Sequence, residues 1–360
     1  MGILNRQKSK LLAGYLLFLT LITCTISFGQ KLKINKTDSI KVEFYELNDS
    51  LNNNRIYVSQ KLTSPAIINK DGSHTLRYRS NGNTNIGIGT TYKWLTINLA
   101  GNFGFINDDD DIKGRTRHLD FQSRGFGRSF IIDFFAQFYK GVYLLPDTGK
   151  IPQGQPFPQR GDIYTQQIGA AFYYYPNWRK FSTSAAAIQR DWQKKSAGSL
   201  IYGGEFFTGK IRGDSNLIPN DRAAYFDNGQ VDRIVFFEIA AGGGYAYTLV
   251  VNKRWFASVT GIVSLSAGIL RESFEGNPQR NIYLRPNYLI RPSIGYNSKR
   301  WNGSVMLFGS RVNAGNNNRR YEIETFNLRF TLAYRLLPRN RHNKVLNDVL
   351  NLNPFWRDRK

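Results

Sequence analysis

In the stretch RHLDFQS, His118 and Asp120 are separated by one residue, so on a strand they share a face, and Gln122 continues it. An imidazole beside a carboxylate supplies the general base and the orienting group of a serine hydrolase. Ser123 falls on the opposite face, so the nucleophile would have to come from another strand. A hydrogen-bonded polar lining explains the same residues without chemistry and is the preferred reading. His118 and Asp120 are therefore the catalytic candidates, and no catalytic residue is assigned.

A second constellation lies in WQKKSAGSLIYGGEFF, residues 192–207. Lys194, Lys195, Ser196 and Ser199 surround a small Ala–Gly pair, and their ammonium groups, hydroxyls and backbone amides could cradle an anion. A tight turn whose small residues allow close packing is the competing reading, and the favoured one.

Charges also stand out where they interrupt apolar or small faces: Asp133, Glu205 and Glu238, with the neighbours Arg190 and Asp191 near the end of another segment. Inside a barrel wall such groups point inward and pair, because an Arg or Lys facing lipid costs about 2–4 kcal/mol near the midplane and Asp or Glu less. These five form a candidate lumen charge network. The acidic run Asp108 to Asp111 lacks the glycine and distal glutamate of a calcium loop and reads as a solvated loop. The three histidines, His74, His118 and His342, have no metal-ligand spacing, and no glycine pattern opens a nucleotide site. Neither a metal nor a cofactor is expected.

To be brought together these side chains need strands, and the sequence offers many. From about Asn54 to about Leu337, segments of period two follow one another, separated by Gly, Asn, Asp and Pro clusters, with no amphipathic helix of convincing length between them. The spans are about 74–91, 93–105, 116–123, 128–143, 162–175, 179–193, 199–211, 233–251, 254–271, 280–297, 300–313 and 319–335. Most are long enough to cross a bilayer when tilted, which takes about 9–11 residues. The expected fold is all-β, an antiparallel up-and-down transmembrane β-barrel of about 12 strands, with 14 as the next count.

The faces separate such a barrel from a soluble sandwich. In TYKWLTINLAGNFGF, Leu95, Ile97, Leu99, Phe103 and Phe105 alternate with Trp94, Thr96, Asn98, Ala100, Asn102 and Gly104, and neither set resembles a water-facing surface. In RWFASVTGIVSLSAGIL, Val259, Val263 and Leu265 alternate with Ser258, Ser264 and Ser266. In FNLRFTLAYRLL, Phe326, Leu328, Phe330 and Leu332 alternate with Asn327, Arg329, Thr331 and Arg335. One face suits lipid and the other a lumen. Aromatics beside turns (Trp178, Trp255, Trp301, Tyr283, Tyr288, Tyr296) stand where interfacial girdles belong.

The short basic turns in TYKWLT, YPNWRKF, VNKRWFA and YNSKRWN point to one end of the barrel, opposite longer loops at 144–161 and 212–232. If all four share that end, one or three strands must lie between 180 and 232, whereas two are legible. A strand is missed, fused or misplaced, and NKDGSH at 69–74 could close a further hairpin with residues 54–68.

At the N-terminus, Arg6, Lys8 and Lys10 precede the apolar run LLAGYLLFLTLIT, and small residues at Ser27 and Gly29 suit cleavage before Gln30. The chain divides into a signal peptide (1–29), a periplasmic lead-in (30–53), the barrel (54–337) and a basic C-terminal tail (338–360), read either as a solvated tail or as carrying a short helix over 343–352. Cys24, the single cysteine, leaves with the signal unless it is lipidated. The formal net charge of +23 calls for an anionic partner. Outer-membrane lipids or lipopolysaccharide phosphate fit, as does the barrel assembly machinery during insertion; nucleic acid fits the charge but not the two-faced strands. Oligomeric state is not legible.

TYKWLTINLA, FYKGVYL, WQKKSAGSLIYGGEFF and GYAYTLVVNKRWF together resemble an uncharacterised family of outer-membrane barrels of Gram-negative bacteria, domain of unknown function 4421, over roughly residues 40–336. The resemblance implies an outer-membrane barrel and no activity. The expectation is a non-enzymatic narrow pore, or a structural or interaction barrel with a polar, partly basic lumen. The alternative is a hydrolase or acyltransferase acting on lipid or lipopolysaccharide.

Overall fold

Alternating apolar and polar residues build extended chain, and a computed structural model, which describes residues 43–48, 51–82, 84–92, 95–102, 109–146, 155–226 and 229–336, is dominated by strands. The first eight are β1 (Tyr45–Glu46), β2 (Asn52–Asn69), β3 (Thr75–Arg79), β4 (Thr84–Tyr92), β5 (Leu95–Asn102), β6 (Arg117–Phe126), β7 (Phe130–Leu144) and β8 (Gln159–Tyr174). There follow β9 (Trp192–Gln193), β10 (Ala197–Arg212), β11 (Arg233–Val251), β12 (Trp255–Phe274), β13 (Asn277–Asn297), β14 (Trp301–Gly315) and β15 (Arg319–Leu336). The expected signal peptide, the C-terminal tail with its helix, and Trp94, Phe103, Phe105 and Asp108 lie outside the described residues.

Thirteen strands form one antiparallel sheet. It closes on itself because β15 pairs with β2 along the length of both, from Arg319 opposite Asn69 to Leu336 opposite Asn52. Closure leaves no free edge on the ring, the condition for a sheet to sit in hydrocarbon. Among the described residues the ring comprises β2, β3, β7, β8 and β10 to β15, which is ten strands and not twelve, with β4, β5 and β6 outside it.

The count falls from twelve to ten because β2 adds a strand while β5, β6 and the span 179–193 drop out of the ring, and two of these departures have a local cause. The span expected as one strand over 74–91 is two: β3 pairs with the Ala66–Ile68 end of β2 and passes on to β7, whereas β4 pairs with the Asn53–Gln60 end of the same strand. The break falls at Ser80, Asn81 and Gly82, whose hydrogen bonds are local and irregular. Ser80 Oγ accepts from the Thr63 amide at 3.0 Å, and the Asn81 amide donates to Thr116 Oγ1 at 2.8 Å. A Cβ at Gly82 would stand 2.7 Å from the Lys61 carbonyl oxygen, so no other residue fits there without movement. The barrel begins at Asn52, inside the span assigned to the lead-in.

The second departure is at 179–193, where a strand was expected. There the chain forms a helix, Thr183–Ile188, followed by β9. Ser182 caps the helix, its Oγ accepting from the Ala185 amide at 3.1 Å; three successive alanines continue it, and Gln189 ends it in the left-handed region at φ 52°. One ring strand, β10, therefore lies between 180 and 232, and the parity of the basic turns is restored. The turns after β11 and β13 and the connection from β8 to β10 share the end where β2 starts and β15 finishes, called the lower end below. Asn252 and Lys253 both have positive φ, the geometry of a tight two-residue hairpin turn.

Strand alternation sorts the residues as the sequence faces require. Ile239, Val263, Leu265, Leu284 and Phe330 are exposed on the outside, Ile282 by 81 %, while Ser264, Ser266 and Asn327 are buried within. The interior is not uniformly polar, however. Its upper half is an apolar core in which Ile163, Ile234, Phe236 and Leu270 pack with Leu217, Ile218, Phe226 and Val231 from the β10–β11 connection. Near the lower end a second core joins Phe126, Ile131, Tyr175 and Ile201 to Phe181 and Ile188 of the β8–β10 connection. Both ends of the barrel are filled by folded connections.

Candidate functional site: a basic chamber between two plugs

Between the two cores lies a cavity of about 390 Å³ lined by inward residues of many strands. Its floor is the β8–β10 connection, residues 175–196, fastened to the rim by hydrogen bonds from several strands. Asn297 donates to the Asp191 carbonyl at 3.1 Å, Arg335 to the Gln189 carbonyl at 2.5 Å, and Trp192 Nε1 to the Lys253 carbonyl at 2.6 Å. Ser304 Oγ donates to Gln189 Oε1 at 2.9 Å.

Within this plug the neighbours Arg190 and Asp191 are buried together, 3.1 Å apart. Asp191 also accepts from Ser182 Oγ at 2.8 Å and from Ser184 Oγ. Burial works against its charge, but the Arg190 guanidinium and the two hydroxyls prevail and hold its carboxyl below the ordinary carboxylate range.

Lys194, Lys195 and Ser196 belong to the same plug and Ser199 to the start of β10, and there the cradle has an occupant from this chain. The amides of Lys194 and Lys195 both donate to the carbonyl oxygen of Phe44, at 2.7 and 3.1 Å. Their ammonium groups pair with Glu46 at 2.5 Å and Glu43 at 3.1 Å. Ser196 Oγ accepts from the Val250 amide at 2.9 Å and Ser199 Oγ from the Asn177 amide at 3.1 Å. Residues 43–48, read in the sequence as unstructured lead-in, thus form a strap across the plug, with β1 pairing antiparallel to β9.

His118 and Asp120 both line the chamber, and no hydrogen bond joins them among the described residues. Asp120 is engaged by Lys61, by Tyr139 Oη at 2.9 Å and by Gln137 at 3.4 Å. His118 stacks on the Tyr139 ring, centroids 5.7 Å apart. No serine hydroxyl bonds to His118 among the described residues.

The remaining charges divide between chamber and wall. Asp133 takes both Arg124 and Arg291, the latter at 2.8 Å. Glu205 accepts from Tyr173 Oη at 2.6 Å and Ser264 Oγ at 3.1 Å. Glu238, fully buried, accepts from Tyr283 Oη at 2.8 Å and Asn287 at 2.6 Å. Sequence reasoning missed four cations that line the same chamber: Arg55, Lys61, Arg124 and Arg291. Their signal was present as basic residues at inward parity in otherwise apolar strands, as with Arg291 in YLIRPSIGY. No group of acidic, His or Cys residues suited to a metal ion occurs among the described residues.

One comparison settles kinship. The pattern named domain of unknown function (DUF4421) matches residues 36–336. The chain belongs to this family. No curated protein matches it. Among solved structures this DUF4421 barrel is similar to the outer membrane protease OmpT from Escherichia coli, with 10% identity, 84% of this chain and 100% of that chain covered, and a TM-score of 0.35. It is also similar to the toluene transporter TodX of P. putida, with 6% identity, coverage of 80% and 91%, and a TM-score of 0.27. The outer membrane protein OprG from Pseudomonas aeruginosa gives 10% identity, coverage of 82% and 99%, and a TM-score of 0.23. Superpositions this loose say nothing about what the DUF4421 barrel does.

Proposed function

We propose that this DUF4421 protein is an outer-membrane β-barrel, inserted after export through a cleaved signal peptide, that does not conduct in its resting state and works by holding a ligand or partner. An exterior of exposed Ile, Leu, Val and Phe around a closed hydrogen-bonded ring supports the membrane setting. The observation that carries the rest is the filled lumen, apolar above the chamber and closed by a hydrogen-bonded plug below it. A pore needs a continuous wet path, and this interior interrupts one twice.

The test is fractionation of producing cells followed by planar-bilayer recording of the purified protein. The expected result is a protein that resists salt and carbonate, migrates differently on gels before and after heating, and gives no steady conductance. A stable ohmic conductance from the intact chain would overturn the closed-lumen reading, and release by salt alone would overturn the membrane reading.

A further inference from the structure

The charges that line the chamber do not balance. Lys61 is matched by Asp120, and Asp133 serves both Arg124 and Arg291. Arg311 pairs with Glu322 and Glu324, and Glu205 is held by the hydroxyls of Tyr173 and Ser264; Arg55 and Arg329 remain, and neither has a carboxylate within ion-pair reach among the described residues. Arg55 is 6 % exposed and donates to the Thr91 hydroxyl, while its Nε is buried without an acceptor. Arg329 lies 4.5 Å above the Tyr57 ring, and its Nε is buried without an acceptor as well. Arg55 and Tyr57 share the inward face of β2, and Arg329 leans over that ring from the adjoining β15, so the two cations bracket one tyrosine.

A guanidinium keeps its proton in a protein, so two of them buried beside one another destabilise the fold unless a negative charge joins them. The chamber also has an apolar side, formed in part by Phe207, Leu289 and Met306. Its volume of about 390 Å³ falls within the range of small-molecule pockets. We propose that Arg55 and Arg329 are the anion-binding pair of this chamber, and that it holds a small organic anion with phosphoryl or carboxylate oxygens on the two guanidiniums and its body against the apolar side. This rests on the closed-chamber reading above.

The experiment refolds the full chain from urea into detergent micelles with inorganic phosphate or phenyl phosphate present, so that entry through the plugged ends is not required. Unfolding temperature is then followed against anion concentration, with sodium chloride matching ionic strength. Binding to the folded state alone raises that temperature, and phenyl phosphate at saturation should raise it by about 5 °C and at lower concentration than phosphate does. Arg329→Gln and Arg55→Gln should each remove most of the shift, Arg329→Lys should keep part of it, and Arg280→Gln, an exposed position, should keep all of it. The proposal fails if wild type shows no shift, or if Arg329→Gln and Arg55→Gln shift as wild type does. It fails equally if phosphatidate in the micelle gives the arginine-dependent shift and phenyl phosphate does not. Conductance of the same preparation reports on the closed lumen separately, so a conducting protein and a non-binding protein are distinct outcomes.

Discussion

The carbonyl oxygen of Phe44 sits between the backbone amides of Lys194 and Lys195, 2.7 and 3.1 Å away, so the segment before the barrel is bonded to the plug within it. The neighbouring residue makes the joint firm: Tyr45 is 2 % exposed and its hydroxyl donates to the Trp178 carbonyl at 2.7 Å. Truncating a buried aromatic leaves a cavity and costs about 3–5 kcal/mol. Tyr45→Ala should therefore free the strap and speed tryptic cleavage after Arg190 or Lys194 in detergent. Lys195→Gln, which removes a half-exposed pair worth about 0–1 kcal/mol, should change cleavage little. Equal cleavage of both variants and wild type would mean that the strap does not hold the plug.

The plug should loosen in acid. Burial disfavours the Asp191 carboxylate, but Arg190 and the hydroxyls of Ser184 and Ser182 keep its pKa below the ordinary carboxylate value. A depressed folded value adds stability at pH above the unfolded one, about 4, and that stability drains as pH falls through the folded value. As pH falls below about 4 the wild-type plug should become open to cleavage by pepsin or to hydrogen exchange. Asp191→Asn should expose the plug at pH 7 and flatten the acid dependence. A wild-type profile without change down to pH 2, in a barrel still folded by gel shift, would remove Asp191 as the plug's fastening.

How far the sequence reached is clear from these two segments. Face alternation in β12 and β15 placed lipid and lumen sides residue by residue, because a period of two permits no other assignment once one side is known. The plug was hidden for the opposite reason. Residues 179–193 carry aromatics and alternation at both ends, and only Ser182 and three alanines mark the short helix between them. The parity of the basic turns requires that a strand be missed, fused or misplaced between 180 and 232 without identifying it. Ring size was hidden too, since the switch of β2 from partner β3 to partner β4 is a tertiary choice made at Ser80–Gly82. The chamber's cations were visible only as inward parity, and which carboxylate each would meet depends on strands far apart in sequence, as with Arg291 and Asp133.

Asp133 is the single carboxylate for two guanidiniums, so its removal should be costly. Asp133→Ala leaves the buried Arg291 and the half-buried Arg124 without their partner, a loss of about 3–5 kcal/mol for breaking the buried pair with Arg291. The urea midpoint of refolding in vesicles should drop accordingly. Adding Arg291→Met should restore part of the loss, because it removes one of the stranded charges. If the double variant is no more stable than Asp133→Ala, Arg291 draws its compensation from elsewhere.

The outer face offers the sharpest test of the membrane setting. Val263 lies midway along β12, opposite Gly243 on β11 and Tyr288 on β13, and is exposed on the outside of the ring. In water an exposed Val→Arg change alters stability by no more than about 0.5 kcal/mol. In hydrocarbon near the midplane it costs about 2–4 kcal/mol. Val263→Arg should therefore sharply reduce the folded fraction in vesicles, as read from heat-modifiable migration. The conservative changes Arg271→Lys and Lys253→Arg, where a cation already stands, should leave it unchanged. If Val263→Arg folds like wild type in vesicles, the apolar exterior does not meet lipid at that depth, and the barrel's orientation or its membrane setting must be reconsidered.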